Sequence, residues 1–163
     1  MPAGEVLRVR DDAGSPVTSH GVASDPLADP FRPVEVDSAL SPYDIARIER
    51  VVEYAQRSSG FVFSVFVGPS GEESRASATR LHAALDDADR AVLIAVDPAA
   101  HTLEIVTGSV IARVLGDAEC RLAAATMQSS FALHDLAGGL TAGIQQLATA
   151  AYEAPMMHAG ERY

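Results

Sequence analysis

An α/β fold, a small mixed sheet of about four strands with helices on both faces, is what this chain predicts, and three features predict it. Phe61–Val67 and Arg90–Val96 are short runs that are almost wholly apolar, the pattern of strands covered from both sides. Between and around them lie longer segments with apolar residues at helical spacing. The connection Asp97–His101 is too short for a crossover, so Thr102–Thr107 returns antiparallel to the strand before it.

Residues 1–38 are rich in Pro, Asp, Ser and Gly, with apolar residues scattered without period. The segment reads as a flexible acidic Pro-rich tail, in which Val34 and Val36 alone mark a short edge strand. A single domain is expected over 39–153 and a frayed end over 154–163.

Ser41-Pro42-Tyr43-Asp44 opens the first helix. Ser41 accepts from free first-turn amides, Pro42 sits where no amide donor is needed, and Asp44 complements the helix dipole. Ile45, Ile48, Val52 and Ala55 form its inner stripe, and Gly60 suits a left-handed cap. After the strand Phe61–Val67 and the loop Gly68–Gly71, a helix over 73–85 is expected to bury Ala76, Thr79, Leu81 and Ala84. Asp86–Asp89 is an acidic turn before the second strand. Gly108 ends the third strand, and Val110–Leu115 is a short helical segment that Gly116 breaks. Asp117 reads as the N-cap of a helix to about Ser130, Phe131–His134 as a linker, and 135–153 as the last helix. Gly138, Gly139 and Gly143 each cost that helix about 1 kcal/mol relative to Ala, which close packing on the sheet would offset. Residues Gly139 and Gly143 have the spacing of a membrane-helix pair, but Thr141, Gln145 and Gln146 interrupt any apolar span.

Composition excludes several functions. The twelve basic residues are all Arg, so no lysine is present for a Schiff base or a Walker-type phosphate site. A net charge of −10 repels phosphates at long range, and no nucleic-acid partner is expected. Cys120 stands alone, so an intrachain disulfide is impossible, and it reads as a buried, inert thiol. No apolar run reaches the roughly 18 residues of a membrane span. Met1–Arg10 lacks the pattern of a signal peptide, so the expected compartment is the cytoplasm.

The acidic positions at element ends are Asp86, Asp87, Asp89, Asp117, Glu119 and Asp135. In an α/β layer, ligands gather at such ends, and hard cations take oxygens from clustered carboxylates. The same residues also suit helix caps and a solvated turn, and EF-hand spacing is absent. His82, His101 and His134 lack metal-ligand spacing and read as structural or solvent-facing. Thr126, Ser129 and Ser130 read as helix-end residues, since no strand–Ser–helix elbow precedes them.

Several segments fall in a telling order: Leu40-Ser41-Pro42, Asp89-Arg90-Ala91-Val92-Leu93-Ile94, Leu103-Glu104-Ile105-Val106-Thr107-Gly108, Leu115-Gly116-Asp117-Ala118-Glu119, then Phe131, Asp135, Gly139, Leu140 and Gly143-Ile144. Together, over residues 39–152, they resemble the TPM domain of thylakoid-lumen repair proteins and bacterial envelope proteins. More narrowly they resemble an actinobacterial branch known as domain of unknown function 5130. The chain departs from most TPM proteins in lacking a signal peptide or membrane helix, and in its compact Asp86–Asp89 turn.

The resemblance implies a TPM-like α/β/α sandwich. It permits a calcium site, for which Asp89, Asp117 and Asp135 are the candidate ligands. It also permits a phosphatase-like hydrolase, in which Arg90 and Arg113 would hold the phosphate. Neither a nucleophile nor a general base stands out, so no catalytic residue is assigned. The favoured expectation is a non-catalytic binding or scaffold domain with a protein partner, an accessory factor in cell-envelope or membrane-complex assembly recruited to the membrane through that partner. Calcium binding and acid phosphatase activity are the alternatives.

Overall fold

The computed structural model describes residues 5–7 and 39–158, with side chains for 39–153. Its order is β1 (Glu5–Leu7), α1 (Pro42–Ser59), β2 (Val62–Val67), α2 (Ser74–Ala83), β3 (Ala91–Asp97), β4 (Thr102–Thr107), α3 (Asp117–Phe131) and α4 (Leu136–His158). Two short 3-10 turns, Ala88–Arg90 and Ile111–Arg113, precede β3 and α3. The four strands form one sheet in the order β1-β2-β3-β4. The central pair β2 and β3 is parallel, while β1 and β4 flank it antiparallel.

Three strands lie where the apolar runs place them. The edge strand expected at Val34 and Val36 lies outside the described residues; the fourth described strand is Glu5–Leu7, within the segment read as a tail. Three residues are too few for an alternating pattern to register in sequence.

The sheet divides the core into two layers. Phe63, Val65, Val92, Ile94 and Val96 pack under α1, α3 and α4 with Ile48, Val52, Met127, Leu140, Ile144 and Leu147. The opposite face carries Phe66, Leu93, Ala95 and Val106 under α2, with Ala78, Leu81 and Leu85. Helices on both faces are therefore what buries β3 along its whole length.

Helix α1 is closed at both ends as its sequence directs. Ser41 and Asp44 form a reciprocal capping box, and Gly60 takes the left-handed conformation at φ 75°. Helix α2 is rotated relative to expectation. It buries Ala78 and His82 and half-buries Leu81, while Ala76, Thr79 and Ala84 face solvent. Alanine is too weak a hydrophobe to set the phase of so short a helix, and Ser74 turns inward to donate to Glu104 at 2.6 Å.

Asp117 is the first residue of α3 and does not cap it. Gly116 is the N-cap, and no side chain bonds the free amides there. Two glycines of α4, Gly139 and Gly143, serve the neighbouring helix, not the sheet. A Cβ at Gly143 would overlap the Met127 side chain, and one at Gly139 would overlap the Phe131 ring, both on α3. Small residues thus let α3 and α4 approach closely. Beyond Glu153 the backbone continues as helix through His158.

Candidate functional site

The three candidate ligands occupy separate places. Asp89 lies in the 3-10 turn before β3, where its Oδ1 accepts from Ser109 Oγ at 2.8 Å and its carbonyl accepts from the Val110 amide at 2.9 Å. The chain after β4 is thereby clamped against the turn. Gly108 makes the clamp possible, because any Cβ there would overlap the Ala88 and Asp89 carbonyls. Asp135 precedes α4 and accepts from the Gly138 amide at 2.8 Å, an N-terminal cap. Asp117 stands exposed at the opposite end of α3 from Asp135. Fifteen residues at 1.5 Å each separate those ends by roughly 22 Å. Among the described residues, no three His, Cys, Asp or Glu side chains converge as a metal site would require.

Several of the other singled-out residues have structural partners. Arg90 donates to the Gly60 carbonyl at 2.8 Å, lies 5.2 Å over the Phe61 ring, and pairs with Asp87 at 3.7 Å. It braces the end of α1 against the acidic turn, while Arg113 is exposed in the second 3-10 turn. His82 is buried with Nε2 3.0 Å from the Ala91 carbonyl; a carbonyl only accepts, so Nε2 carries the proton. His101 and His134 adopt left-handed backbone at φ 56° and 60°, in the β3–β4 and α3–α4 connections. The hydroxyls of Thr126, Ser129 and Ser130 each donate to a carbonyl one turn back. The half-buried Cys120 thiol is pushed up by burial, then by Asp117 and Glu119, against a smaller opposing pull from Arg75.

Two clusters are not singled out by the sequence. The first lies beyond the carboxyl ends of β2 and β3. Asp97 Oδ2 accepts from the Ser70 amide at 2.8 Å and from Ser70 Oγ at 3.1 Å, and Oδ1 accepts from the Ala99 and Ala100 amides at 3.0 Å. Thr102 Oγ1 donates to Ser70 Oγ at 3.2 Å. Burial pushes the Asp97 carboxyl up, but these donors together outweigh it and hold it below the usual carboxylate range. With its lone pairs taken, Asp97 ties two loops together and is not a free base. Its sequence signal is an Asp-Pro pair closing a buried strand, the start of a side-chain-stapled turn. Beside it, a cavity of about 10 Å³ under α2, lined by Ser70, Ser74, Ser77, Thr102 and Glu104 among others, has room for about one water molecule.

The second cluster is a stripe on α1. Tyr43, Arg47, Arg50, Tyr54 and Arg57 recur at helical spacing and are all exposed. Tyr43 and Tyr54 are 69% and 66% exposed, on a helix whose other face is in the core. Arg57 pairs with Glu53, whereas Arg47 and Arg50 have no ion pair among the described residues. In the sequence the apolar stripe Ile45, Ile48, Val52 and Ala55 is the stronger signal of this helix, and the outer stripe carries no motif of its own.

Comparison with known proteins gives a family and a fold. The profile of a family described as Domain of unknown function (DUF5130) matches residues 13–148. Two proteins of Mycobacterium tuberculosis, uncharacterized protein MT2543 of strain CDC 1551 / Oshkosh and uncharacterized protein Rv2468c of strain ATCC 25618 / H37Rv, are each 27% identical over 104 residues. The match covers 64% of this chain and 62% of each relative, so the chain spans less than two thirds of their length. The NMR structure of BA42 protein from the psychrophilic bacterium Bizionia argentinensis aligns with a TM-score of 0.65 at 18% identity, covering 73% of this chain and 86% of that one. The solution structure of the N-terminal domain of cg2496 protein from Corynebacterium glutamicum aligns at 0.58 and 18% identity, covering 69% and 74%. Both are similar in fold.

Proposed function

We propose that this chain, which belongs to the DUF5130 family, is a non-catalytic protein-binding module that engages an acidic partner through the outer stripe of α1. The stripe Tyr43, Arg47, Arg50, Tyr54 and Arg57 carries the reading. Tyrosine and arginine are the side chains that dominate protein interfaces, because each offers a large contact area together with a polar tip. On a chain of net charge −10, two tyrosines left in water alternate here with three arginines, of which Arg47 and Arg50 have no ion pair among the described residues. A partner with an acidic, partly apolar surface complements it. The TPM resemblance extends the proposal to an accessory role in assembling a cell-envelope or membrane complex. Among the described residues, no helix is long and apolar enough to cross a membrane, so on this reading the partner supplies the membrane contact.

The test is affinity capture from the source organism by the intact chain and by the double variant Arg47→Glu, Arg50→Glu. The proposal expects specific partners that the variant loses while its unfolding midpoint stays within a few degrees of the parent. It also expects capture to weaken as salt shortens the screening length from about 10 Å at 0.1 M to about 3 Å at 1 M. Capture unchanged by the charge reversal removes α1 as the contact. A calcium-specific rise in the unfolding midpoint, abolished by Asp89→Ala or Asp117→Ala, favours the cation-binding reading instead. Phosphate release that disappears with the same substitutions favours a hydrolase.

A further inference from the structure

The outer edge of β2 is built to receive a strand. The Gly68 amide donates to the Val96 carbonyl at 2.9 Å, and Val67 is in register with Val96. Gly68, Phe66 and Ser64 therefore turn their backbone groups toward β3, and Val67, Val65 and Phe63 turn theirs outward. The Phe63 amide meets the Oε1 of buried Gln56, from α1, at 3.1 Å. Val65 and Val67 meet β1, opposite Leu7 and Glu5. The edge is thus closed by a side chain at one end and by a three-residue strand at the other.

That strand is held differently from its counterpart β4. The latter joins β3 through the short turn 98–101, which Asp97 staples. Residues 8–38 lie between β1 and the rest of the domain, so docking β1 closes a long loop for only a few ladder bonds. A strand so attached has little net stabilisation and yields to a competitor that makes more bonds. Five of the six residues of β2 are apolar, Ser64 being the exception, so a largely apolar strand matches the edge.

We propose that the outer edge of β2 is a strand-docking site, held closed by the chain's own Glu5–Leu7 and opened to an extended apolar segment of a partner protein. The surface is distinct from the α1 stripe, and its occupant is recognised by backbone pairing rather than by charge.

The probe is a fluorescein-labelled peptide with the sequence of residues 3–10, added to the full chain and to its variant Leu7→Pro. Leu7 faces β2 with its backbone amide, and proline removes that donor. The variant should bind the peptide at least tenfold more tightly than the parent, because the tethered competitor is gone. No binding to the variant, or equal binding to both, overturns the proposal. Amide exchange in the unmodified chain supplies a test that needs no variant. Val65 and Val67 should exchange much faster than Ser64 and Phe66, and should become protected when the peptide saturates. Equal protection of the four amides without peptide also overturns it. Neither experiment touches Arg47 or Arg50, so failure here leaves the α1 proposal standing.

Discussion

Asp97 illustrates how a residue at a promising address is committed to structure. It lies at the carboxyl end of the parallel pair, where α/β folds place ligands, yet its oxygens are filled by Ser70, Ala99 and Ala100. Asp97→Asn should destabilise the chain by about 1–3 kcal/mol, as expected for breaking a buried, hydrogen-bonded group; denaturant unfolding checks this. The folded carboxyl titrates below its unfolded value. Its contribution is therefore fully present above about pH 4, the ordinary aspartate range, and is lost as pH falls through the lower folded value. The parent's excess stability over Asp97→Asn should accordingly shrink with acidification below pH 4. Ser64 is the opposite case. Its hydroxyl, 2% exposed, has no hydrogen-bond partner among the described residues. Removing an unpaired buried group removes its desolvation cost, so Ser64→Ala should raise stability by about 1 kcal/mol. In the sequence Ser64 is the lone polar residue between Phe61 and Val67, and nothing local to it shows whether a partner faces it.

At the scale of elements, local chemistry was the most legible. The Ser41–Asp44 box and the Gly60 cap are written within a few residues, and they form as written. Strands β2 and β3 were legible because burial on both faces leaves a continuous apolar run. What depended on distant partners was not. The phase of α2 is set by Glu104 and Phe66 across the chain, not by its alanines. The Gly139 and Gly143 pair fits α3 because Met127 and Phe131 fill the space a side chain would take. Gly143→Val should therefore cost about 1–3 kcal/mol by overpacking against the fully buried Met127, read as a lowered unfolding midpoint. A gain in stability would show that the two helices have slack between them. Of the candidate site, sequence offers the Asp positions with a helix cap as one role, which Asp135 fills and Asp117 does not. Asp89 and Asp135 were named as acids at element ends, and only the fold shows Ser109 and the Gly138 amide waiting for them.

At the scale of the molecule, the division of labour runs across the sheet. Among the described residues, one face carries three helices and the main core, and the other carries the short α2 alone. Asp89, Asp135 and His82 hold a loop, a helix start and a strand within this frame, whereas Asp117 and the arginines and tyrosines of α1 stand exposed outside it. On the proposed reading, the arginines and tyrosines of α1 are where an acidic partner makes contact. The most direct test places a photo-crosslinking phenylalanine analogue at Tyr54 on α1, and separately at Thr79 on the exposed side of α2, in cells of the source organism. The account predicts a discrete crosslinked adduct from position 54 that disappears when Arg47 and Arg50 are reversed to Glu, and none from position 79. No adduct at 54, or the same adducts from both positions, would contradict it.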